Sequence, residues 1–307
     1  MTGVEWAMLV ALSLIWGCSF LFSKVAVADI PPFSLVFGRV ALASLCLLAV
    51  LRAIRVAVPA GLPVWRDFLG MGLLNNIIPF SLIFWGQTQI GAGLSSILNA
   101  TTPLFTVLVA NALTTDEKLT PPRLAGVLLG FAGVAVMLGP ELLASLDRHV
   151  AAELACLAAA VSYAFSSVFG RRFARMGVKP AQAAFGQLSA SSLVMLPVVL
   201  LADRPWTLPM PHAVSWAALV ALGVLCTAFA YLIFFRILGG AGATNIMLVT
   251  FLIPPSAILL GALVLGERLG ARDVAGMALV ALGLAAIDRR GPALARRLIG
   301  RGRTEAA

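Results

Sequence analysis

Apolar residues fall in ten runs of about 20 along this chain, near 4–27, 33–51, 66–86, 91–113, 121–140, 149–169, 180–201, 214–235, 240–265 and 271–287. Short stretches between them carry most of the charge, such as "RAIRVA" at 52–57 and "RRFARMGVK" at 171–179. A helix of about 20 residues rises roughly 30 Å, which matches the hydrocarbon thickness of a bilayer. The runs lack the strict alternation of a lipid-embedded strand, which excludes a barrel and leaves helices as the spanning elements. The pattern therefore predicts ten transmembrane helices, their ends placed to within about two to four residues.

Composition supports this: 61% of the 307 residues are hydrophobic and 11% charged, against about 45–50% and about 25% in a soluble domain. The formal charge of +9 matters through its distribution rather than its sum. With the N-terminus inside, the inner segments hold 16 Lys and Arg, and the outer ones hold 4, namely Arg148, Arg204, Arg268 and Arg272. Such a bias places both termini in the cytoplasm. It is a topology signal and not the footprint of a nucleic-acid partner. The basic segment 288–307 is then a cytoplasmic tail, free in solvent or resting on anionic headgroups. Ala26-Val27-Ala28 has the small-residue pattern of a signal cleavage site, but "MTGVEW" ahead of the first run lacks Lys and Arg, and Lys24 intrudes. The first run is expected to stay as a span.

The chain repeats itself. "EKLTPPRLAGVLLGFAG" (117–133) and "ERLGARDVAGMALVALG" (267–283) share six of seventeen positions. "GAGLSSILNATTP" (91–103) parallels "GAGATNIMLVTFLIP" (240–254), "FGR" (37–39) parallels "FGQ" (185–187), and "IWGCSFLFSK" (15–24) has a weaker twin in "SYAFSSVFGR" (162–171). The matches keep their order, so residues 1–140 and 149–287 are two copies of a five-helix unit. Five crossings deliver the second copy upside down, the inverted repeat of many secondary transporters, with a site near the midplane. Glu117 and Glu267 then stand just ahead of equivalent helices on opposite faces, where a helix N-terminus favours a carboxylate. The expected fold is all-α and polytopic, ten transmembrane helices in two inverted repeats.

On "LIWGCSFLFSKVA" (14–26), "PPFSLVFGRVALA" (31–43) and the two "P…E-K/R-L…AG…G" blocks (103–133 and 254–283), the chain resembles the EamA family of the drug/metabolite transporter superfamily. Its length and layout are most similar to the YddG-type amino-acid exporters. The resemblance implies a multi-pass inner-membrane protein with a central cavity between the repeats. It also implies outward movement of small metabolites, aromatic and other neutral amino acids foremost, by alternating access. A multidrug or other metabolite exporter is the alternative within the superfamily, and a lipid scramblase or membrane enzyme lies outside it.

Polar groups inside spans cost free energy unless they face other helices or water, so each is a candidate. Trp16, Phe20 and Lys24 recur every four residues on one face of the first helix. They would suit an aromatic substrate, or equally serve as packing groups with Lys24 snorkelling to the interface. Arg39 lies about 9 Å deep, either as a partner for a substrate carboxylate or as a structural donor to a neighbouring helix end. Asn75 and Asn76 precede Pro79 and Phe80 in the third span, and Asn99 precedes Pro103 in the fourth. Tyr163, Ser167, Gln187, Thr227, Tyr231 and Asn245 occupy comparable depths in the second copy. Trp16, Phe20, Asn76, Phe80, Asn99, Tyr163, Tyr231 and Asn245 are the expected substrate-binding set. Pro103, Pro254 and Pro255 are the expected hinges, because a midspan proline removes a helical hydrogen bond.

Cys18, Cys46, Cys156 and Cys226 lie in apolar runs without ligand spacing, and His149 and His212 sit at span ends. No metal, cofactor or catalytic constellation is indicated, and no enzymatic activity is expected. The implied partners are a small-molecule substrate and membrane lipid, for a chain acting as a monomer. No Asp or Glu falls deep in a span, which disfavours proton-coupled cation export and leaves downhill export of zwitterions.

Overall fold

The computed structural model describes residues 2–115, 117–139, 148–241 and 248–287. Among the described residues, ten long helical segments follow one another: α1 (Gly3–Ala26), α2 (Pro32–Ala53), α3 (Leu62–Gln87), α4 (Ala92–Leu113), α5 (Pro121–Leu138), α6 (Arg148–Arg175), α7 (Pro180–Thr207), α8 (Ala213–Ile237), α9 (Leu248–Leu265) and α10 (Ala271–Ile287). The first nine are long and apolar enough to span a membrane, and α10, at 17 residues, is one short of that length. No strand occurs among the described residues. The protein is a polytopic α-helical membrane protein.

Local chemistry explains where the helices begin. Thr2 and Glu5 form a reciprocal capping box on α1, with Thr2 N donating to Glu5 Oε2 at 2.7 Å. Proline occupies the first turn of α2, α3, α5 and α7, where its missing N–H costs nothing. Helix continues beyond Ile237 to Ala241, so the start expected for the ninth span at 240 belongs to α8, which meets no proline to stop it. Helix α4 is broken by a turn at Ala100–Thr101 and resumes at Thr102 with Pro103 in its first turn. By contrast, α9 runs unbroken through Pro254 and Pro255.

The two halves are interleaved. Helices α5 and α10 cross antiparallel: a Cβ built on Gly126 would lie 2.5 Å from the Gly283 carbonyl oxygen, and one on Gly133 would lie 2.6 Å from that of Gly276. By the sequence repeat, Gly126 matches Gly276 and Gly133 matches Gly283. Each position thus meets the other's twin, which is the signature of a two-fold interface. The same reciprocity recurs deeper in the bundle. Leu219 of α8 seats against Gly38 of α2, and Phe68 of α3 seats against Gly186 of α7. Equivalent helices that meet antiparallel about a two-fold run in opposite senses through the membrane.

Contacts between helix ends join segments that the charge bias puts on the same face. On the outer side, Ser34 N and Oγ each donate to Asp203 at 2.7 Å, and Glu267 reaches α4. Arg172 bonds Asp67 at 2.7 Å, and Gln182 bonds the Ala57 carbonyl at 2.7 Å, both on the inner side. Asp29, in the outer loop after α1, accepts from Ser215 Oγ at 2.5 Å and from His212 N at 3.2 Å, and its carboxylate lies 2.9 Å from His212 Nδ1. The Ser215 and His212 donors hold the Asp29 carboxyl below its ordinary range.

Three outcomes are expected. Gly133→Leu should destabilise the protein by about 1–3 kcal/mol through overpacking against backbone that has nowhere to go, read as a lower melting temperature in detergent. Gly3→Ala, whose Cβ would meet nothing within 4 Å, should leave melting unchanged. The Asp29 tie involves a depressed carboxyl, so its stabilisation is full above the unfolded value of about 3.9 and is lost as pH falls through the folded one. Asp29→Asn should therefore melt below wild type at neutral pH, with the gap narrowing as the solution is acidified below about pH 4.

Candidate functional site

The polar groups of α2, α3, α6, α7 and α8 converge at mid-bundle. Arg39 is buried, its Nε donates to Thr227 Oγ1 at 2.9 Å, and its guanidinium carbon lies 3.9 Å from the centroid of the Phe80 ring. Among the described residues no carboxylate answers this charge, and Tyr163, Cys226 and Tyr231 are the groups within its electrostatic reach. Beside it, Asn75 Nδ2 donates to Gln187 Oε1 at 3.1 Å and to Tyr231 Oη at 3.3 Å, while Ser166 Oγ donates to Asn75 Oδ1 at 3.1 Å. Arg39 and Gln187 are repeat equivalents, "FGR" and "FGQ". Each enters the cluster from its own half and bonds a helix of the other.

Two irregular segments shape the cluster. Leu73–Ile77 in α3 and Ala221–Phe229 in α8 are π-helical, at corresponding depths in the two copies. A π-segment widens the helix and leaves groups free of the regular ladder, a feature common at functional sites. Thr227 uses this freedom: its Oγ1 donates to the Leu222 carbonyl at 2.7 Å while accepting from Arg39.

The expected residues separate into groups. Phe80, Tyr163, Tyr231 and Arg39 come together in the cluster. Trp16 joins it through rings: Trp16 to Phe234 at 5.8 Å, Phe234 to Phe235 at 5.6 Å and Phe235 to Tyr231 at 5.8 Å between centroids. Phe20 is buried in the apolar core, and its carbonyl accepts from Gln87 Nε2 at 3.0 Å. Asn76 points away from the cluster, with Nδ2 bonded to Ser191 Oγ at 3.2 Å and Oδ1 unpartnered; its neighbour Asn75 takes the central place. Asn99 ends the first piece of α4 with an unpartnered Oδ1. Asn245 lies outside the described residues. Ser166, three residues beyond Tyr163 on the same helix face, drew no notice in the sequence.

Lys24 and Glu267 do something the sequence pattern did not suggest. Lys24 Nζ donates to the Gln87 and Ile90 carbonyls at 2.6 and 3.0 Å, closing the end of α3. Glu267 does not serve the helix it precedes. Its Oε1 accepts from Ala92 N at 2.7 Å and its Oε2 from Gly93 N at 3.0 Å, which caps α4. The turn into α10 is served instead by Asp273, whose carboxylate accepts from Gly270 N at 2.8 Å. Glu117 pairs with Arg171 of α6. The reason is geometric: Gly266, with φ +67°, turns the chain back at the end of α9 and aims the next side chain across the repeat boundary.

A cavity of about 610 Å³ opens at the outer ends of α1, α8 and α9, lined by Lys24, Asp29, His212 and Glu267 among others. A second, apolar and about 180 Å³, lies between α4, α9 and α10 beside Pro254 and Pro255. No residue of the central cluster lines either one. Within the cluster Arg39 and Gln187 are buried, whereas Asn75, Tyr163 and Tyr231 keep part of their surface exposed.

Comparison with known proteins fits this architecture. The model of the EamA-like transporter family matches the chain twice, over residues 1–139 and 150–287. The transporter YoaV of Bacillus subtilis (strain 168) is 23% identical over 279 residues, covering 90% of this chain and 94% of that one. Proteins named "Probable amino-acid metabolite efflux pump" from Salmonella typhimurium (strain LT2) and Escherichia coli (strain K12) are 28% and 27% identical, each over 88% of this chain and 90% of its own length. A crystal structure at 24% identity superposes with a TM-score of 0.63 over 94% of this chain and 98% of its own, a likeness of fold. With its double match, ten apolar helices and polar mid-bundle cluster, the chain belongs to the EamA-like transporter family and is a multi-pass inner-membrane transporter of small molecules.

Proposed function

We propose that this transporter exports small neutral amino acids, aromatic ones included, or close metabolites of them, by alternating access between the two repeats. The observation that carries the reading is Arg39. A cation without a carboxylate partner inside a span is costly, up to about 2.5–3.5 kcal/mol at the centre of a helix on insertion scales. A substrate carboxylate would relieve that cost whenever it occupied the site. Asn75, Gln187 and the Tyr231 hydroxyl supply neutral donors and acceptors for an ammonium or amide group. The ring series from Tyr231 to Trp16 supplies a surface for an apolar or aromatic side chain. Two relatives carry names that mention amino-acid metabolites, which favours the same class.

In this reading Phe80 holds the guanidinium face by stacking, which an arginine does and a lysine does not. Tyr163 and Tyr231 line the site, and Asn99 sits at the break in α4 where the helix can flex. Pro103 is the hinge of the first half. Pro254 and Pro255, beside the 180 Å³ apolar cavity, are the hinge of the second, with room for the helix to bend. The central groups include no carboxylate to carry a proton, so export runs downhill and a monomer suffices.

Purified protein in liposomes, loaded with a panel of amino acids, should release neutral and aromatic ones at a rate insensitive to an imposed pH gradient. Accumulation that follows the gradient would overturn the uncoupled mechanism. Wild type should transport phenylalanine at least about tenfold faster than phenylethylamine, which lacks the carboxylate, a discrimination of about 1.4 kcal/mol. Arg39→Lys should lose most of that ratio, because a point charge replaces a stacked fork. If wild type moves both compounds equally, Arg39 is not the carboxylate partner.

A further inference from the structure

The Glu-Lys/Arg-Leu motif, the strongest echo between the halves, is not explained by a central binding site, since both copies lie at helix ends. Yet the structure gives each copy a cation from the same repeat position. Outside, Lys24 bonds the carbonyls that close α3 and Glu267 bonds the amides that open α4. The two side chains are within electrostatic reach of each other. A cation at a helix C-terminus and an anion at a helix N-terminus are each placed where the backbone dipole favours them. Together they grip both sides of the 88–91 turn. Inside, the twin of Lys24 by the repeat is Arg171, the twin of Glu267 is Glu117, and those two are paired directly.

We propose that Lys24 with Glu267 is the outer gate of this transporter, that Arg171 with Glu117 is its inner gate, and that transport alternates between releasing one and releasing the other. Three further features support this. The outer pair joins four elements from both halves: the end of α1, the hairpin of α3 and α4, and the end of α9. Releasing it frees that hairpin from the opposite repeat. The fit is close, since a Cβ at Gly91 would lie 2.8 Å from the Glu267 carboxylate and one at Gly261 would lie 2.6 Å from it. Finally, Lys24 and Glu267 both line the open 610 Å³ cavity, so the outer grip is exposed to water from that side. In this structure the outer grip and the inner ion pair are both in place.

This inference rests on the alternating-access reading above, but its test needs no substrate, so an error in substrate class would leave it standing. Cys226 is fully buried in α8 beside Arg39 and serves as a native reporter. Its modification by the membrane-impermeant anion sulfonatoethyl methanethiosulfonate can be followed by peptide mass spectrometry. The reagent is applied to spheroplasts for the outer face and to inside-out vesicles for the inner face. Wild type should react slowly from both sides. Glu267→Gln should react at least tenfold faster from outside only, and Glu117→Gln at least tenfold faster from inside only. Lys24→Met and Gly91→Ala, which attack the outer grip from its other members, should repeat the Glu267→Gln result and serve if that variant does not accumulate. Equal acceleration from both faces, or none, overturns the proposal. So does failure of all three outer variants to yield folded protein, because the contacts would then be supports and not gates.

Discussion

Hydrocarbon offers no partner to a polar group, and nearly every distinctive feature of this protein answers to that constraint. The backbone satisfies itself by forming helices. Where a helix ends or is irregular, a side chain meets the freed backbone groups: Lys24 of α1 on the last carbonyls of α3, Glu267 on the first amides of α4, and Thr227 on the Leu222 carbonyl of its own π-segment in α8. The central cluster is the same rule applied to side chains. Asn75, Gln187, Tyr231 and Ser166 satisfy one another, and Arg39 finds a hydroxyl and two aromatic faces. What they do not offer Arg39 is an anion, and that deficit gives the bundle a reason to bind one.

The second organising fact is the two-fold relation between halves. Glycines at equivalent places in α5 and α10 let the backbones touch, and touching backbones leave little freedom to slide. The pair therefore serves as a fixed seam. In the alternating-access reading proposed above, movement comes from elsewhere. Helix α4 is broken near Pro103, and α9 carries two prolines next to unfilled apolar space. A rigid seam with compliant partners is what two packings of similar energy require: one part keeps the repeats in register while the other lets each face open.

Inverted symmetry also accounts for the ends of the bundle. Because the halves are antiparallel, a motif that appears once in the sequence of each copy appears once on each face of the membrane. The Glu-Lys/Arg-Leu blocks are therefore not redundant. They are the same device installed at the two entrances, with Lys24 and Arg171 as matching cations. The copies differ in detail, with a direct ion pair on one face and a shared grip on a hairpin on the other.

Much of this was legible in the chain alone. Run length and hydropathy sufficed for a polytopic helical protein, and nine of the ten expected spans are long and apolar enough to cross among the described residues, because the bilayer fixes how long an apolar segment must be. Charge counts sorted the loops into two sets, and the helix-end contacts join loops within a set. Tyr163, Tyr231, Phe80 and Arg39 could be singled out, since a polar or aromatic group at depth needs a reason to be there. The tertiary structure alone decided which neighbour faces inward. Asn75 and Asn76 are one residue apart, and a π-helical turn rotates the first into the cluster and the second onto Ser191. Nor could the sequence reveal that Glu267 serves α4 and not its own helix. A motif fixes which residue is present and roughly how deep it lies, but the partner of a side chain is settled by the crossing of helices far apart in sequence, and no local pattern encodes that.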